Sequence, residues 1–118
     1  MIKIGIDIVL IKRIEKIIDK FGVENLKFLN KDEKYSNVST IAGVFAAKEA
    51  FSKALGSGIG KEFSFKDISI LKDDKGKPFI KINSLALRKK IIESDISITH
   101  DGGVAVAAVI LILRENLI

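Results

Sequence analysis

An alanine-rich segment over residues 38–55 is the feature that most constrains how this chain can fold. Large apolar residues punctuate the alanines at helical spacing, at Ile41, Val44, Phe45, Phe51 and Leu55. The pattern predicts a helix, capped by Ser39 or Thr40, whose small side chains allow other elements to pack closely against it. The glycine-rich run at 56–60 predicts its end, because glycine readily adopts positive φ.

The N-terminal residues alternate with a period of two. Ile2, Ile4, Ile6 and Ile8 point one way, which predicts a strand over residues 2–9 with one buried face and with Asp7 on the opposite face. A helical stripe from Leu10 to Phe21 follows, with a mainly basic opposite side, and Gly22 is expected to end that helix.

The remaining residues predict further short elements. We expect one or two short helices in 23–37, strands at 65–71 and 79–82, a helix at 84–92, and strands at 95–100 and 104–113. The last two strands meet at Asp101-Gly102-Gly103, a hairpin signal. The order predicts a single α+β domain over residues 1–118, with a mostly antiparallel sheet packed against helices.

Composition narrows the functional classes. The 118 residues include no cysteine, which excludes disulfides and thiolate metal sites. No apolar run reaches the roughly 18 residues of a membrane span, and the first residues lack the order of a signal peptide. We therefore expect a cytoplasmic protein with no membrane partner. The net charge of +5 favours an anionic partner, either nucleic acid, a phosphorylated ligand or an acidic protein.

Several residues are candidates for chemistry, and each has a purely structural alternative. A carboxylate on an apolar strand, Asp7, either binds a metal or ends the strand. Glu49 and Lys53 are four residues apart on one helix face, so they form either a surface ion pair or part of a cleft. The single histidine, His100, is either packed or catalytic. The glycine loop fits neither a P-loop nor a dinucleotide fingerprint, since its spacing and its place after a helix are wrong for both.

Taken together, four segments resemble one family. They are Gly5-Ile6-Asp7-Ile8, Lys12-Arg13-Ile14, the run from Phe45-Ala46-Ala47-Lys48-Glu49-Ala50 to Gly56, and Ile96-Ser97-Ile98-Thr99-His100-Asp101. Their order and spacing are similar to those of holo-acyl-carrier-protein synthase, the small bacterial type of 4′-phosphopantetheinyl transferase. Gly76-Lys77-Pro78 resembles another short family segment.

The resemblance implies an enzyme and a reaction. A serine of apo acyl carrier protein attacks the β-phosphate of coenzyme A, phosphopantetheine is transferred, adenosine 3′,5′-bisphosphate leaves, and fatty acid biosynthesis is supported. It implies Mg²⁺ held by Asp7 and Glu49, with Lys53 beside the phosphates as a third catalytic residue. The proton acceptor stays open between Asp7 and Glu49, acting directly or through a water on the metal.

The resemblance also implies binding residues and an assembly. Contacts to coenzyme A are expected from Lys48, Ser52, Lys53, Gly56, Pro78, Thr99 and His100. The acidic carrier protein is expected on the basic helix face of Arg13, Lys16 and Lys20. Family members are trimers with active sites between chains. One position departs from the pattern: Val44 replaces a basic residue of many relatives, and Lys61 or Lys77 is expected to take over its phosphate contact.

Two other classes remain as alternatives. A basic nucleic-acid-binding domain would explain the charge, but one tyrosine and no tryptophan give it few residues for base stacking. A binder of coenzyme A or carrier protein that has lost activity is disfavoured, because Asp7, Glu49 and Lys53 are all present.

Overall fold

The computed structural model of this protein describes residues 1–60 and 62–115. Two short 3₁₀ turns, Val23–Asn25 and Phe65–Asp67, accompany the longer elements. Those elements are β1 (Ile2–Leu10), α1 (Ile11–Phe21), α2 (Val38–Leu55), β2 (Ile68–Lys72), β3 (Pro78–Ile82), α3 (Leu85–Lys90), β4 (Ile91–Asp101) and β5 (Val104–Leu113). None of the helices within these ranges is long and apolar enough to cross a membrane.

The strands form two antiparallel sheets, which confirms the predicted α+β class. One sheet has the order β1-β5-β4, and β2 pairs with β3 in a separate hairpin. The predicted turn between β4 and β5 is present, and Gly102 and Gly103 both have positive φ, at 57° and 84°. Two successive positive φ values suit the tight turns that join antiparallel strands.

Helix α2 lies across one face of the three-stranded sheet, which we call the inner sheet face. Small residues of β5, Ala105 and Ala107, are fully buried there against the alanines of α2. The closest approach is at Gly5, where an added Cβ would lie 1.9 Å from the carbonyl oxygen of Ala50. The alanine-rich sequence therefore does permit close packing, and the glycine on β1 is what brings that strand onto the helix.

The predicted burial of the isoleucine face of β1 is wrong for this chain. Ile2, Ile4, Ile6 and Ile8 are each between 60% and 73% exposed, whereas Gly5 and Val9 are buried. Alternation identifies two faces of a strand, but the helix covers the face that carries the glycine. The isoleucines lie beside Ile112, Ile110, Ala108 and Val106 of β5, forming an apolar surface that we call the outer sheet face.

One local prediction needs correction. The side chain of Asn37 caps α2 by accepting the backbone N–H of Thr40 at 3.1 Å, so neither Ser39 nor Thr40 is the cap. Residues 23–37 contain one short helix, the 3₁₀ helix Val23–Asn25, and Glu33 later in this segment turns inward and accepts backbone N–H groups of Asn30 and Ile70. The predicted stop at Gly56 is confirmed, with φ of 84°.

Candidate active site

Asp7 and Lys53 meet where β1 passes α2. The Lys53 ammonium donates to Asp7 Oδ1 at 3.0 Å and to the carbonyl oxygen of Ile6 at 3.1 Å. The Asp7 side chain is only 17% exposed, whereas that of Lys53 is 55% exposed. Lys53 therefore turns towards the strand, and its ion pair is with Asp7 rather than with Glu49 of its own helix.

Glu49 completes this cluster from the neighbouring turn of α2. Burial raises the pKa of Glu49, the negative charge of Asp7 raises it further, and the cations Lys53 and Arg13 oppose the shift. Two carboxylates that repel one another in a half-buried position attract a cation. In the part of the chain that the structure describes, no three metal-binding side chains gather. Two carboxylates suit Mg²⁺, which commonly takes one or two from a protein and the rest from phosphates and water.

Two residues predicted to contact coenzyme A point away from this cluster. Lys48 is fully buried, and its ammonium donates to Glu33 Oε1 at 2.7 Å. Burial lowers the pKa of Lys48, although Glu33 opposes the shift. The Ser52 hydroxyl donates to the carbonyl oxygen of Glu49 at 2.7 Å and is also buried. Neither side chain reaches the surface of the chain, so the contacts of both with coenzyme A stay predictions that this conformation does not support.

Gly56 lies beside Lys53 on the surface, at the end of α2. Its N–H is already bonded to the carbonyl oxygens of Ser52 and Lys53. A ligand at Gly56 would therefore meet its open α-carbon rather than a free N–H donor.

The other predicted nucleotide contacts lie on a different side of α2. Pro78 and His100 line a pocket of about 160 Å³ together with Val44. At about 100° per residue, Val44 and Glu49 lie roughly 140° apart around the helix. Thr99 pairs with Val106 and so lies on the outer sheet face, whereas His100 pairs with Ala105 on the inner one. Within one chain, the two groups of predicted site residues are thus separated.

Sequence reasoning missed two residues in the pocket of Pro78 and His100. Tyr35 and Lys72 also line it, and the Lys72 ammonium lies 5.8 Å from the centre of the Tyr35 ring. Lys72 is a cation at the pocket where Val44 replaces a basic residue. Lys77, predicted for that role, is paired with Asp95 at 3.2 Å, and Lys61 lies outside the described residues. The only sequence signal was the position of Lys72 just before the turn that contains Lys77.

The basic residues of α1 border an apolar groove. Arg13, Lys16 and Lys20 are exposed on one face of the helix. The Arg13 guanidinium stacks over the Phe45 ring at 5.4 Å, and the Lys20 ammonium lies 5.3 Å from the Phe21 ring centre. The groove beside them, which we call the α1 groove, is lined by Ile17, Phe21, Asn25, Leu26, Lys27, Phe28 and Phe45.

Comparisons with known proteins show the family to which this chain belongs. Residues 3–109 match the model of the 4′-phosphopantetheinyl transferase superfamily. Over 112 residues the chain is 57% identical to the holo-[acyl-carrier-protein] synthase of Nautilia profundicola, covering 92% of this chain and 98% of that protein. The crystal structure of Helicobacter pylori holo-[acyl-carrier-protein] synthase with coenzyme A is 46% identical, with a TM-score of 0.85 and coverage of 92% and 98%.

A second solved structure agrees. The Bacillus anthracis holo-(acyl-carrier-protein) synthase in complex with CoA (3′,5′-ADP) is 44% identical with a TM-score of 0.76, covering 92% of this chain and 94% of that one. The chain therefore belongs to the 4′-phosphopantetheinyl transferase superfamily. Within it, the resemblance to holo-acyl-carrier-protein synthases seen in the motifs is confirmed, and the protein is an enzyme of that type.

Proposed function

We propose that this protein transfers 4′-phosphopantetheine from coenzyme A to a serine of apo acyl carrier protein. The serine oxygen forms a bond to the β-phosphorus, the bond to the bridging oxygen breaks, and adenosine 3′,5′-bisphosphate leaves. The observation that carries the proposal is the cluster of Asp7, Glu49 and Lys53, which combines two interacting carboxylates with one exposed ammonium.

Asp7 and Glu49 would hold Mg²⁺. The mutual effect of their charges supports this, since a cation between them relieves the repulsion that adds to the effect of burial in raising the pKa of Glu49. When bound, the ion neutralises charge on the pyrophosphate and on the leaving phosphate.

Lys53 and Glu49 have separate roles in this proposal. The Lys53 ammonium is 55% exposed, so it can exchange its contact with Asp7 for one with a phosphate oxygen of coenzyme A. Glu49 would accept the serine proton, and Asp7, which pairs with Lys53, is the alternative acceptor.

We further propose that the active site is completed by a neighbouring chain in a homotrimer. The separation of Asp7 and Glu49 from Pro78 and His100 around α2 supports this, because one nucleotide cannot easily contact both sides of a helix. The outer sheet face supports it too: a continuous apolar surface of this kind normally marks an interface. Thr99 lies on that face, so a subunit contact would bring it near the shared site.

Carrier-protein binding is assigned to α1 and its groove. The groove is mainly apolar, Arg13 and Lys20 lie over the rings of Phe45 and Phe21 that line it, and Lys16 is exposed on the same face of α1. An acidic protein with an apolar contact patch would complement both features. The positive charge of Arg13 also opposes the rise in the pKa of Glu49, which supports a carrier-binding position close to the catalytic cluster. We propose that this carrier is the acyl carrier protein of fatty acid biosynthesis and that the reaction takes place in the cytoplasm.

The test is intact-mass spectrometry of apo acyl carrier protein incubated with coenzyme A, Mg²⁺ and the enzyme. We expect a gain of about 340 Da, the mass of one phosphopantetheine, which disappears with EDTA or with Glu49→Gln. Glu15→Gln, the same change at an exposed carboxylate of α1, is the matched control and should keep activity. No gain of mass with any of several carrier proteins would refute the proposed function and leave a binding protein.

A further inference from the structure

A buried ion pair includes Lys48, the residue next to Glu49 on α2, and the proposed chemistry does not use it. The Lys48 ammonium and the Glu33 carboxylate are 2.7 Å apart, and neither side chain has exposed surface. The ammonium makes two more bonds, to the carbonyl oxygens of Phe28 at 2.6 Å and Phe65 at 2.9 Å. Each of its three N–H donors is thus bonded to an oxygen, two of them in residues 28–33 and the third at Phe65.

Glu33 extends these connections. Its Oε1 also accepts the backbone N–H of Asn30 at 2.7 Å, and its Oε2 accepts that of Ile70 at 2.8 Å. The pair therefore joins α2 to residues 28–33 before it and to β2 after it. Among the described residues, no buried polar side-chain atom lacks a partner, so this network is fully satisfied.

The two carbonyls held by Lys48 belong to residues that shape the α1 groove. The Phe28 ring packs edge-on against Phe45 at 5.1 Å and lies 6.1 Å from Phe65. Phe65 in turn lies 6.0 Å from Phe45. Phe28 and Phe45 line the groove, and Arg13 stacks on the ring of Phe45. Lys48 thus fixes the backbone of two of the three rings in this cluster, while its own helix carries the third.

A buried ion pair contributes little stability, because the cost of removing two charges from water often equals their attraction. Its directional bonds, however, fix backbone positions that apolar contacts alone leave adjustable. We propose that Glu33 and Lys48 are positioning residues that set the shape of the α1 groove, and thereby determine affinity for the carrier protein without affecting coenzyme A. This inference rests on the proposal that the α1 groove binds the carrier protein.

The experiment measures the KM for each substrate, kcat and thermal unfolding for three variants. Lys48→Met removes the ammonium and leaves a buried carboxylate. The double variant Glu33→Gln/Lys48→Met removes both charges and so avoids that unpaired charge, while the two carbonyls still lose their donor. Ser69→Ala is the control, since Ser69 is also buried and hydrogen-bonded between β2 and residues 30–32 but, among the described residues, makes no hydrogen bond to Phe28 or Phe65.

We expect the KM for carrier protein to rise about tenfold in the double variant, with kcat and the KM for coenzyme A within about twofold of wild type. Ser69→Ala should lower the unfolding temperature but leave both KM values unchanged. An unchanged carrier KM in the double variant would overturn the inference, as would equal increases for both substrates. If the double variant did not fold, the inference would be overturned, because Glu33 and Lys48 would then be needed for the fold itself rather than for the shape of the groove. These outcomes differ from failure of the proposed function, in which the wild-type enzyme would transfer nothing.

Discussion

Replacement of Gly5 by alanine tests whether the close contact between β1 and α2 sets the geometry of the catalytic cluster. The new Cβ would lie 1.9 Å from the Ala50 carbonyl oxygen and 2.7 Å from the Ala54 nitrogen. Both are backbone atoms of a helix, which cannot rotate away. To reach the ordinary contact distance of at least 3.4 Å, the strand and the helix must separate by about 1.5 Å at this point.

Such a separation would displace Asp7, two residues along β1, from Glu49 and Lys53 on the helix. Misplacement of a catalytic group by about 1 Å can cost about 10²-fold in rate. We therefore expect kcat of Gly5→Ala to fall by roughly 10- to 100-fold. Overpacking should also destabilise the fold by about 1–3 kcal/mol.

The assay is steady-state pantetheinylation of apo carrier protein, measured well below the unfolding temperature of each variant. Gly43→Ala is the matched control, because it also adds a methyl group between α2 and the sheet. That methyl would meet only the Ile98 Cγ2 atom at 2.8 Å, the end of a side chain that can adjust. It should therefore retain most activity. Wild-type kcat in Gly5→Ala, or equal losses in the two variants, would show that this contact does not position Asp7.

Three further predictions follow from the site and the surfaces. Arg13→Glu should raise the KM for carrier protein by at least about fivefold and leave the KM for coenzyme A nearly unchanged. Equal changes in the two KM values would contradict docking of the carrier protein on α1. Ile4→Lys, on the exposed outer sheet face, should convert a trimer to a monomer in light scattering, and a wild-type mass near that of one chain would refute the trimer outright. In metal-free buffer, the raised pKa of Glu49 means that its charged form is disfavoured in the folded state. The contribution of Glu49 to the free energy of unfolding should therefore rise as pH falls from neutral through that pKa, and should stop rising below the ordinary value of 4.5. Glu49→Gln should remove this part of the pH profile, and an identical profile in the variant would show that another group causes it.

Much of the site could be predicted because its residues lie in short local patterns. Asp7 lies on a period-two strand, and Glu49 and Lys53 share one face of a helix whose limits are marked by its own sequence. The ends of α2 and β5 were also predictable, since glycine and hydrophobic runs determine them locally. The direction of the Lys48 side chain could not be predicted in this way, because neighbouring residues in a motif point in different directions on a helix, and only the ion pair with Glu33 shows which way Lys48 points.

The sequence by itself determined that this chain forms an alanine-rich helix, an N-terminal strand with one isoleucine face, and antiparallel hairpins. These follow from periodicity and turn residues, which act over a few positions. The tertiary structure decided that α2 covers the glycine face of β1, that Lys53 pairs with Asp7, and that Pro78 and His100 lie across the helix from Glu49. Each of these depends on contacts between residues more than 30 positions apart, such as the approach of Gly5 to Ala50, and a local pattern carries no information about such distances.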